Sequence, residues 1–232
     1  NMGCPAKKVC RREAGSALLK DPKLVEKILV EITKTVSAPV TLKIRTGWDP
    51  TSRNTPLIAK IAENAGISAL AIHGRTRQCR FSGEAEYDSI ALAVSTVQIP
   101  IIANGDIKTP GQARDVLNKT GAAAIMIGRA ALGKPWIFRA FKDFLSNGIL
   151  NYEPSALEKN EIIAKHLRAI HDFYGECRGV RIARKHIGWY LRELPLGTDF
   201  IRHFNNLGAA RLQIESLNEF FRDNHSFQNR AA

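Results

Sequence analysis

Short apolar segments alternate with amphipathic helical segments over roughly the first 135 residues, and this alternation constrains the fold more than any other feature. One helical segment has Thr109 as a cap, Pro110 in its first turn and Gly121 as its stop signal. Strands that alternate with helices at this spacing predict a parallel sheet. The four complete predicted strands lie near residues 40–45, 68–73, 100–104 and 124–127.

Two architectures contain such a sheet, a doubly wound open sheet and a (β/α)8 TIM barrel. The chain has no GxGxxG or GxxxxGK[ST] motif, which weakens the case for a nucleotide-binding open sheet. In the segment VTLKIR, Thr41, Lys43 and Arg45 share one face, although a strand covered by helices on both faces is almost continuously apolar. Polar residues also stand at the carboxyl ends of the strands, where barrel enzymes hold their sites, so we favour the barrel.

The number of strands is too small for a closed barrel. The opening segment NMGCP reads as the tail of a fifth strand, so the α/β fold that we expect is the C-terminal part of a TIM barrel, strands 4–8. Beyond residue 150 the pattern is helical, which predicts a small all-α domain. We therefore expect a partial barrel domain over residues 1–150 and a helical domain over residues 151–232.

Composition narrows the class of protein. The apolar runs are far too short to span a membrane, and the polar start does not resemble a signal peptide. The four cysteines are scattered without metal-ligand spacing, which predicts a reduced, cytoplasmic protein without a metal. The net charge of +12 has two interpretations, solubility or a polyanionic partner such as nucleic acid.

Cys4 stands between a glycine and a proline at the end of the first predicted strand. A cysteine in such a place is most often a small buried hydrophobic residue. Its location in a turn at the catalytic face of a barrel favours a functional thiol instead, and the cations that follow it would favour the thiolate or hold an anionic substrate.

Two neighbouring strand ends carry Lys43 and His73, which are either structural or able to hold an anionic cofactor ring or phosphate together. The turn Asn104-Gly105-Asp106 and the dipeptide Gly128-Arg129 follow the next two strands. Such turns are common in any loop. In barrels, however, the loops after the last two strands frequently bind a phosphate, and two such turns favour that interpretation.

Cations recur in three segments, and each group is either a solvated surface or a contact for the RNA backbone. One group follows Cys4, another lies in the loop RTRQCR, and the third has helical spacing beside Trp189 and Tyr190, aromatics that suit either base stacking or a core. The candidates for RNA contacts are Lys7, Lys8, Arg75, Arg77, Arg178, Arg181, Arg184 and Lys185.

Several segments together resemble the tRNA-dihydrouridine synthases, most closely their bacterial B subfamily. The segments include NMGCPAKKV, TLKIRTGW, IHGRTR, PIIANGDI, GAAAIMIGRAALGKPWIF and RIARKHIGWYL. The resemblance covers essentially the whole chain, and the order NMGCP, ANGD, MIGRAA is more specific than any one motif.

The resemblance implies an FMN-binding barrel and a helical tRNA-binding domain, expected to act as a monomer. NADPH would reduce FMN, and hydride would pass to a D-loop uridine while Cys4 protonates C5 of the uracil. Lys43 and His73 would then contact the flavin. The phosphate and ribitol of FMN would be held by Asn104, Gly105, Asp106, Gly128 and Arg129.

Family members begin with further strands that also contact FMN, so the chain is expected to be a C-terminal fragment that is unstable and inactive in isolation. Two alternatives remain at this point. One is a non-catalytic tRNA-binding protein, and the other is a different FMN-barrel oxidoreductase that acts on a small molecule.

Overall fold

The computed structural model describes residues 1–149, 153–192, 194 and 196–228, with side chains as far as residue 223. The chain divides into two compact units, Asn1–Gly128 and Arg129–Ala232. The assignment of residues 1–150 to a cofactor domain and 151–232 to an RNA-binding domain is a functional division, and it stays a prediction.

The first unit contains a parallel sheet whose four strands lie side by side in sequence order. This confirms the predicted α/β alternation. A sequential order is that of a β/α barrel, whereas a doubly wound sheet reverses its order at a switch point. The strands are β1 (Thr41–Arg45), β2 (Ala69–His73), β3 (Ile101–Asn104) and β4 (Ala124–Met126).

The opening segment NMGCP runs beside β1. Met2 forms a parallel bridge with Ile44, and its backbone N–H donates to the carbonyl of Lys43 at 2.8 Å. The segment therefore extends the sheet by one short step, as the sequence predicted for a strand tail. It brings Cys4 to the same edge of the sheet as the end of β1.

A helix follows each of the first three strands in the chain, and alternate strand residues form an apolar face of the sheet. Apolar side chains on that face are fully buried, including Ile44, Leu70 and Ile72, each 0% exposed. Thr109 caps the helix Pro110–Thr120 as predicted, and it does so in a capping box with Gln112. The helices are α1 (Lys7–Cys10), α2 (Pro22–Thr35), α3 (Thr55–Asn64), α4 (Asp88–Thr96) and α5 (Pro110–Thr120), with a 3-10 helix at Gly15–Lys20.

The second unit is helical throughout its described residues, and its core is built around the longest helix. Gly175 interrupts that helix with φ 71° and ψ 164°. Leu167, Phe204 and Leu217, each 0% exposed, come from three helices and pack in one apolar core. The helices are α6 (Ile137–Asn147), α7 (Ala156–Leu191), α8 (Gly197–Asn206) and α9 (Ala210–Gln228).

Within the described part of the chain, no helix has both the length and the apolar character needed to cross a bilayer. No group of three or more His, Cys, Asp or Glu side chains among the same residues could hold a metal ion.

Candidate active site at the carboxyl ends of the strands

The loop that carries Cys4 is fixed through its backbone. The Cys4 carbonyl accepts a hydrogen bond from the Ser16 N–H at 3.0 Å and from the Cys10 thiol at 3.6 Å. Gly15 has φ +60°, and a Cβ there would lie 2.8 Å from the Cys4 carbonyl oxygen, so only glycine permits this approach. Cys4 itself is half-buried and free of any disulfide. A reacting thiol at this position would therefore be held in a defined place.

Arg45 ties the Cys4 loop to the loop that follows β2. Its side chain is only 2% exposed. Nε donates to the carbonyl of Gly3 at 3.1 Å, while Nη1 donates to the carbonyls of Thr76 at 2.9 Å and Arg80 at 2.7 Å. Burial, and then the neighbouring Arg75, lower the pKa of Arg45 to about 10, so it remains a cation at neutral pH.

Sequence reasoning placed Arg45 on the polar face of its strand but did not select it as a site residue. The available signal was the charge itself, because a strand arginine that faces inward has to find several acceptors.

Lys43 and Asn104, both predicted to lie at strand ends, form a hydrogen bond that the sequence did not predict. Lys43 Nζ donates to Asn104 Oδ1 at 3.0 Å, and Asn104 Nδ2 donates to the carbonyl of Met126 at 2.7 Å. The chain of hydrogen bonds therefore links β1, β3 and β4 across the polar face of the sheet. Burial, followed by the charge of Arg45, lowers the pKa of the Lys43 ammonium.

His73 lies level with Arg45 and Asn104 in the strand register and is 9% exposed. Burial lowers its pKa to about 3, and the cations Arg45, Lys43 and Arg75 add to the shift while Asp106 opposes it. His73 is therefore neutral at physiological pH. It can donate or accept a hydrogen bond, but it brings no positive charge to an anionic ligand.

We expect the His73 ring to stay neutral as the pH falls from 8 to 5. Its pKa drops on folding from 6.5 to about 3, so between these values the unfolded chain binds a proton that the folded chain does not. Stability from this residue is therefore lost as the pH falls below 6.5. NMR titration of the His73 ring, assigned with His73→Gln, should show no midpoint in this range, whereas the same ring should titrate in urea. A midpoint near 6.5 in the folded protein would contradict the burial argument.

The turn Asn104-Gly105-Asp106 is closed by an ion pair between buried Arg75 and partly buried Asp106. Arg75 is 3% exposed, and its guanidinium donates to both carboxylate oxygens of Asp106, with Nη1 at 3.0 Å from Oδ1. The N–H of Ala85 donates to the same carboxylate at 2.9 Å. Asp106 has φ 50°, an unfavourable region that these contacts hold. Arg75 and Asp106 thus fix the loop after β2, and burial lends no support to the predicted RNA contact at Arg75.

Gly128 and Arg129 stand at the boundary of the two units. Gly128 is exposed, and a Cβ added there would meet nothing within 4 Å, so the backbone is open to an approaching ligand. Arg129 begins the second unit and a 3-10 turn, Arg129–Ala131. The open backbone at Gly128 is compatible with the phosphate site predicted for this dipeptide.

The cations predicted to contact RNA fall into exposed and buried groups. Lys7 and Lys8 are exposed on α1. Arg77 is half-buried, with its guanidinium carbon 4.4 Å from the centre of the Trp48 ring. Trp48 is not among the site residues predicted from the sequence.

On α7 the predicted cationic face is exposed at Arg178, Arg181 and Lys185. Arg184 is half-buried and donates to the carbonyl of Leu207 at 3.5 Å. Tyr190 belongs to the core of the helical unit, where its hydroxyl lies 2.9 Å from His166 Nδ1. The alternative that the sequence left open for Tyr190 is therefore resolved in favour of the core.

Comparison with known proteins gives the affiliation of the chain. The sequence model of the dihydrouridine synthase (Dus) family matches residues 1–225. The chain is 56% identical over 221 residues to tRNA-dihydrouridine synthase B of Proteus vulgaris, covering 95% of this chain and 68% of that protein. The corresponding proteins of Vibrio vulnificus and Yersinia pestis are 53% and 55% identical, again over 95% of this chain and 69% of each relative. The chain thus belongs to the dihydrouridine synthase family, as its motifs predicted, and its relatives are of the B type.

Proposed function

We propose that this protein reduces the C5–C6 double bond of a D-loop uridine in tRNA, with NADPH as reductant and FMN as the bound cofactor. The observation that carries the proposal is the cluster at the carboxyl ends of the strands, where Arg45 joins the Cys4 loop to the polar face that bears Lys43 and Asn104. The names of the relatives, tRNA-dihydrouridine synthase B, support tRNA as the substrate. A monomer in the cytoplasm stays part of this proposal.

The residues of the cluster fit FMN in their chemistry. Lys43 offers a positive charge, and neutral His73 offers a hydrogen bond without charge, a combination that suits the polar edge of a flavin ring. The open backbone at Gly128 leaves room for a phosphate. When bound, FMN would supply the hydride for the reaction.

Cys4 has the chemistry to complete the reduction. Hydride addition at C6 of uracil leaves negative charge shared between C5 and the C4 carbonyl oxygen, so a proton must reach C5. The Cys4 thiol would donate this proton from Sγ, and the resulting thiolate would recover a proton from solvent. Arg45, through Gly3, would hold the Cys4 backbone in position. The target base must leave its stack to reach this site, and contacts elsewhere on the RNA would offset that cost.

The protein expressed from its complete gene tests the proposal directly. We expect a yellow protein with the absorbance of FMN that forms dihydrouridine in tRNA when NADPH is added. A colourless protein that takes up no FMN would overturn the proposal. Salt-dependent tRNA binding without FMN uptake would instead favour a non-catalytic tRNA-binding protein, for which the exposed cations of α7 are the supporting observation.

We expect the triple variant Arg178→Ala, Arg181→Ala, Lys185→Ala to bind tRNA more weakly, with the largest loss of affinity at low salt. The slope of log K against log salt is negative, and removing one cation that pairs with a phosphate should reduce its magnitude by about 0.7–0.9. Removing all three should therefore reduce the magnitude by roughly 2–3. Filter binding across a salt series measures this slope. Arg211→Ala is the matched control, because Arg211 is an exposed helical cation already paired with Glu215. An unchanged slope in the triple variant would remove the RNA role of α7.

A further inference from the structure

A cavity of about 400 Å³ lies in the first unit, and neither the proposed chemistry nor the family match assigns it a role. Its walls come from the end of the 3-10 helix Gly15–Lys20 and from the loop between β1 and α3. The lining includes Leu19, Lys20, Trp48, Asp49, Arg53 and Asn54.

Cations gather around one indole ring at this cavity. Lys20 Nζ lies 4.6 Å and Arg77 Cζ lies 4.4 Å from the centre of the Trp48 ring. Arg53 adds a third cation on the lining, with its Nε 3.5 Å from Glu86 Oε1. An aromatic ring surrounded by cations suits the binding of single-stranded nucleic acid, because a base can stack on the ring while a phosphate pairs with the cations.

The cavity also offers acceptors, which argues against a simple inorganic anion. Asn54 Nδ2 donates to the carbonyl of Leu19 at 2.7 Å, while Asn54 Oδ1 is buried and accepts no hydrogen bond among the described residues. Asp49 contributes a carboxylate, and hydrogen bonds from Thr51 and Ser52 hold its pKa below the usual value. A bare phosphate would face the Asp49 charge without offering a donor to it. A nucleotide brings both an anion and N–H or O–H donors.

The 3-10 helix connects this cavity to the candidate active site. At its start, the N–H of Ser16 donates to the carbonyl of Cys4 at 3.0 Å. At its end, Lys20 lies over Trp48. Backbone N–H groups of Arg77 and Gln78 donate to the carbonyls of Gly47 and Trp48, each at 2.9 Å, so the loop that Arg45 anchors also braces the cavity. The 3-10 helix therefore joins a wall of the cavity to the backbone of the Cys4 loop.

We propose that this cavity is a subsite for a nucleotide of the RNA strand that flanks the target uridine. Lys20 is exposed, so its ammonium can leave the indole for a phosphate and free that ring face for the flanking base. Arg53 on the lining supplies a second cation, Arg77 lies against the indole, and the Asp49 carboxylate can accept a hydrogen bond from the base or the ribose. The inference rests on the proposed action on tRNA.

The experiment compares Lys20→Ala and Trp48→Phe with Lys34→Ala in the protein expressed from its complete gene. Lys34 is the matched control because it is an exposed lysine in the last turn of α2, at the opposite end of that helix from Lys20. The probes are tRNA and a uridine pentanucleotide, titrated at several salt concentrations, with inorganic phosphate and NADPH titrated separately.

Lys20→Ala should weaken binding of both RNA probes and reduce the magnitude of the slope of log K against log salt by about 1. Lys34→Ala should leave both the affinity and the slope unchanged. The pentanucleotide should also change tryptophan fluorescence in the wild type, and this change should disappear in Trp48→Phe. Near-ultraviolet circular dichroism checks that the variants fold.

Equal effects of Lys20→Ala and Lys34→Ala would overturn the subsite, as would a Lys20→Ala variant that alters only NADPH or phosphate binding. The proposed function would survive either result if the wild-type protein still formed dihydrouridine in tRNA. A wild-type protein that neither binds nor modifies tRNA would reject the proposed function and the subsite together.

Discussion

Cys4→Ala is expected to reduce dihydrouridine formation by about 10²- to 10⁴-fold, the range that a positioned general acid contributes. The protein should still bind tRNA, and NADPH should still bleach the flavin, because the thiol acts only after hydride has reached the base. The measurement is the dihydrouridine content of tRNA after single turnover, alongside flavin absorbance. If Cys4→Ala loses dihydrouridine formation but NADPH still reduces the flavin, the defect lies in protonation of the base and not in a general loss of structure.

The matched control for this variant is Cys177→Ala, since Cys177 is a free cysteine exposed on the helical unit. It should modify tRNA at the wild-type rate. Cys4→Ser distinguishes acidity from shape, because a hydroxyl keeps the size of the side chain but is a much weaker acid than a thiol. Undiminished modification by Cys4→Ala would mean that another group protonates C5.

Asp106→Asn is expected to lower the free energy of unfolding by about 3–5 kcal/mol, the usual cost of removing one partner from a buried ion pair. Arg75 is 3% exposed, so its charge would remain in the interior with only carbonyl acceptors, among them Ser82 at 3.2 Å. Urea denaturation followed by circular dichroism measures the change. The control is Asp199→Asn, which breaks an exposed pair with Arg202 and should cost no more than about 1 kcal/mol. Similar losses in the two variants would show that the Arg75–Asp106 pair is not structurally special.

The sequence predicted those parts of the fold that depend on residues close together in the chain. The Thr109-Pro110 start and the Gly121 stop bound α5 as expected, because capping depends on residues within one turn. The parallel sheet followed from alternation. The placement of Lys43 and Asn104 at one edge followed from the rule that parallel strands end together, although their direct hydrogen bond was not predicted. Here local chemistry and topology were sufficient.

The parts that could not be predicted depend on partners far away in the chain. Arg45 finds the carbonyl of Gly3, 42 residues away, and Arg75 finds Asp106, 31 residues away. From the sequence, Arg75 and Arg77 are equivalent cations of one loop. Only the folded chain shows that Arg75 is buried with a carboxylate while Arg77 lies against Trp48. Burial of a charge is decided by tertiary structure, and spacing in a loop carries little information about it.

Arg45 also determines how the site can move. Its one guanidinium donates to the carbonyls of Gly3, Thr76 and Arg80, so opening of either loop would leave this buried charge with fewer acceptors. Local opening events follow such shared hydrogen bonds, and loops that share a buried donor tend to fluctuate as one cooperative unit. Admission of a bulky nucleotide would then be a concerted rearrangement of both loops, with the rigid sheet beneath them unchanged.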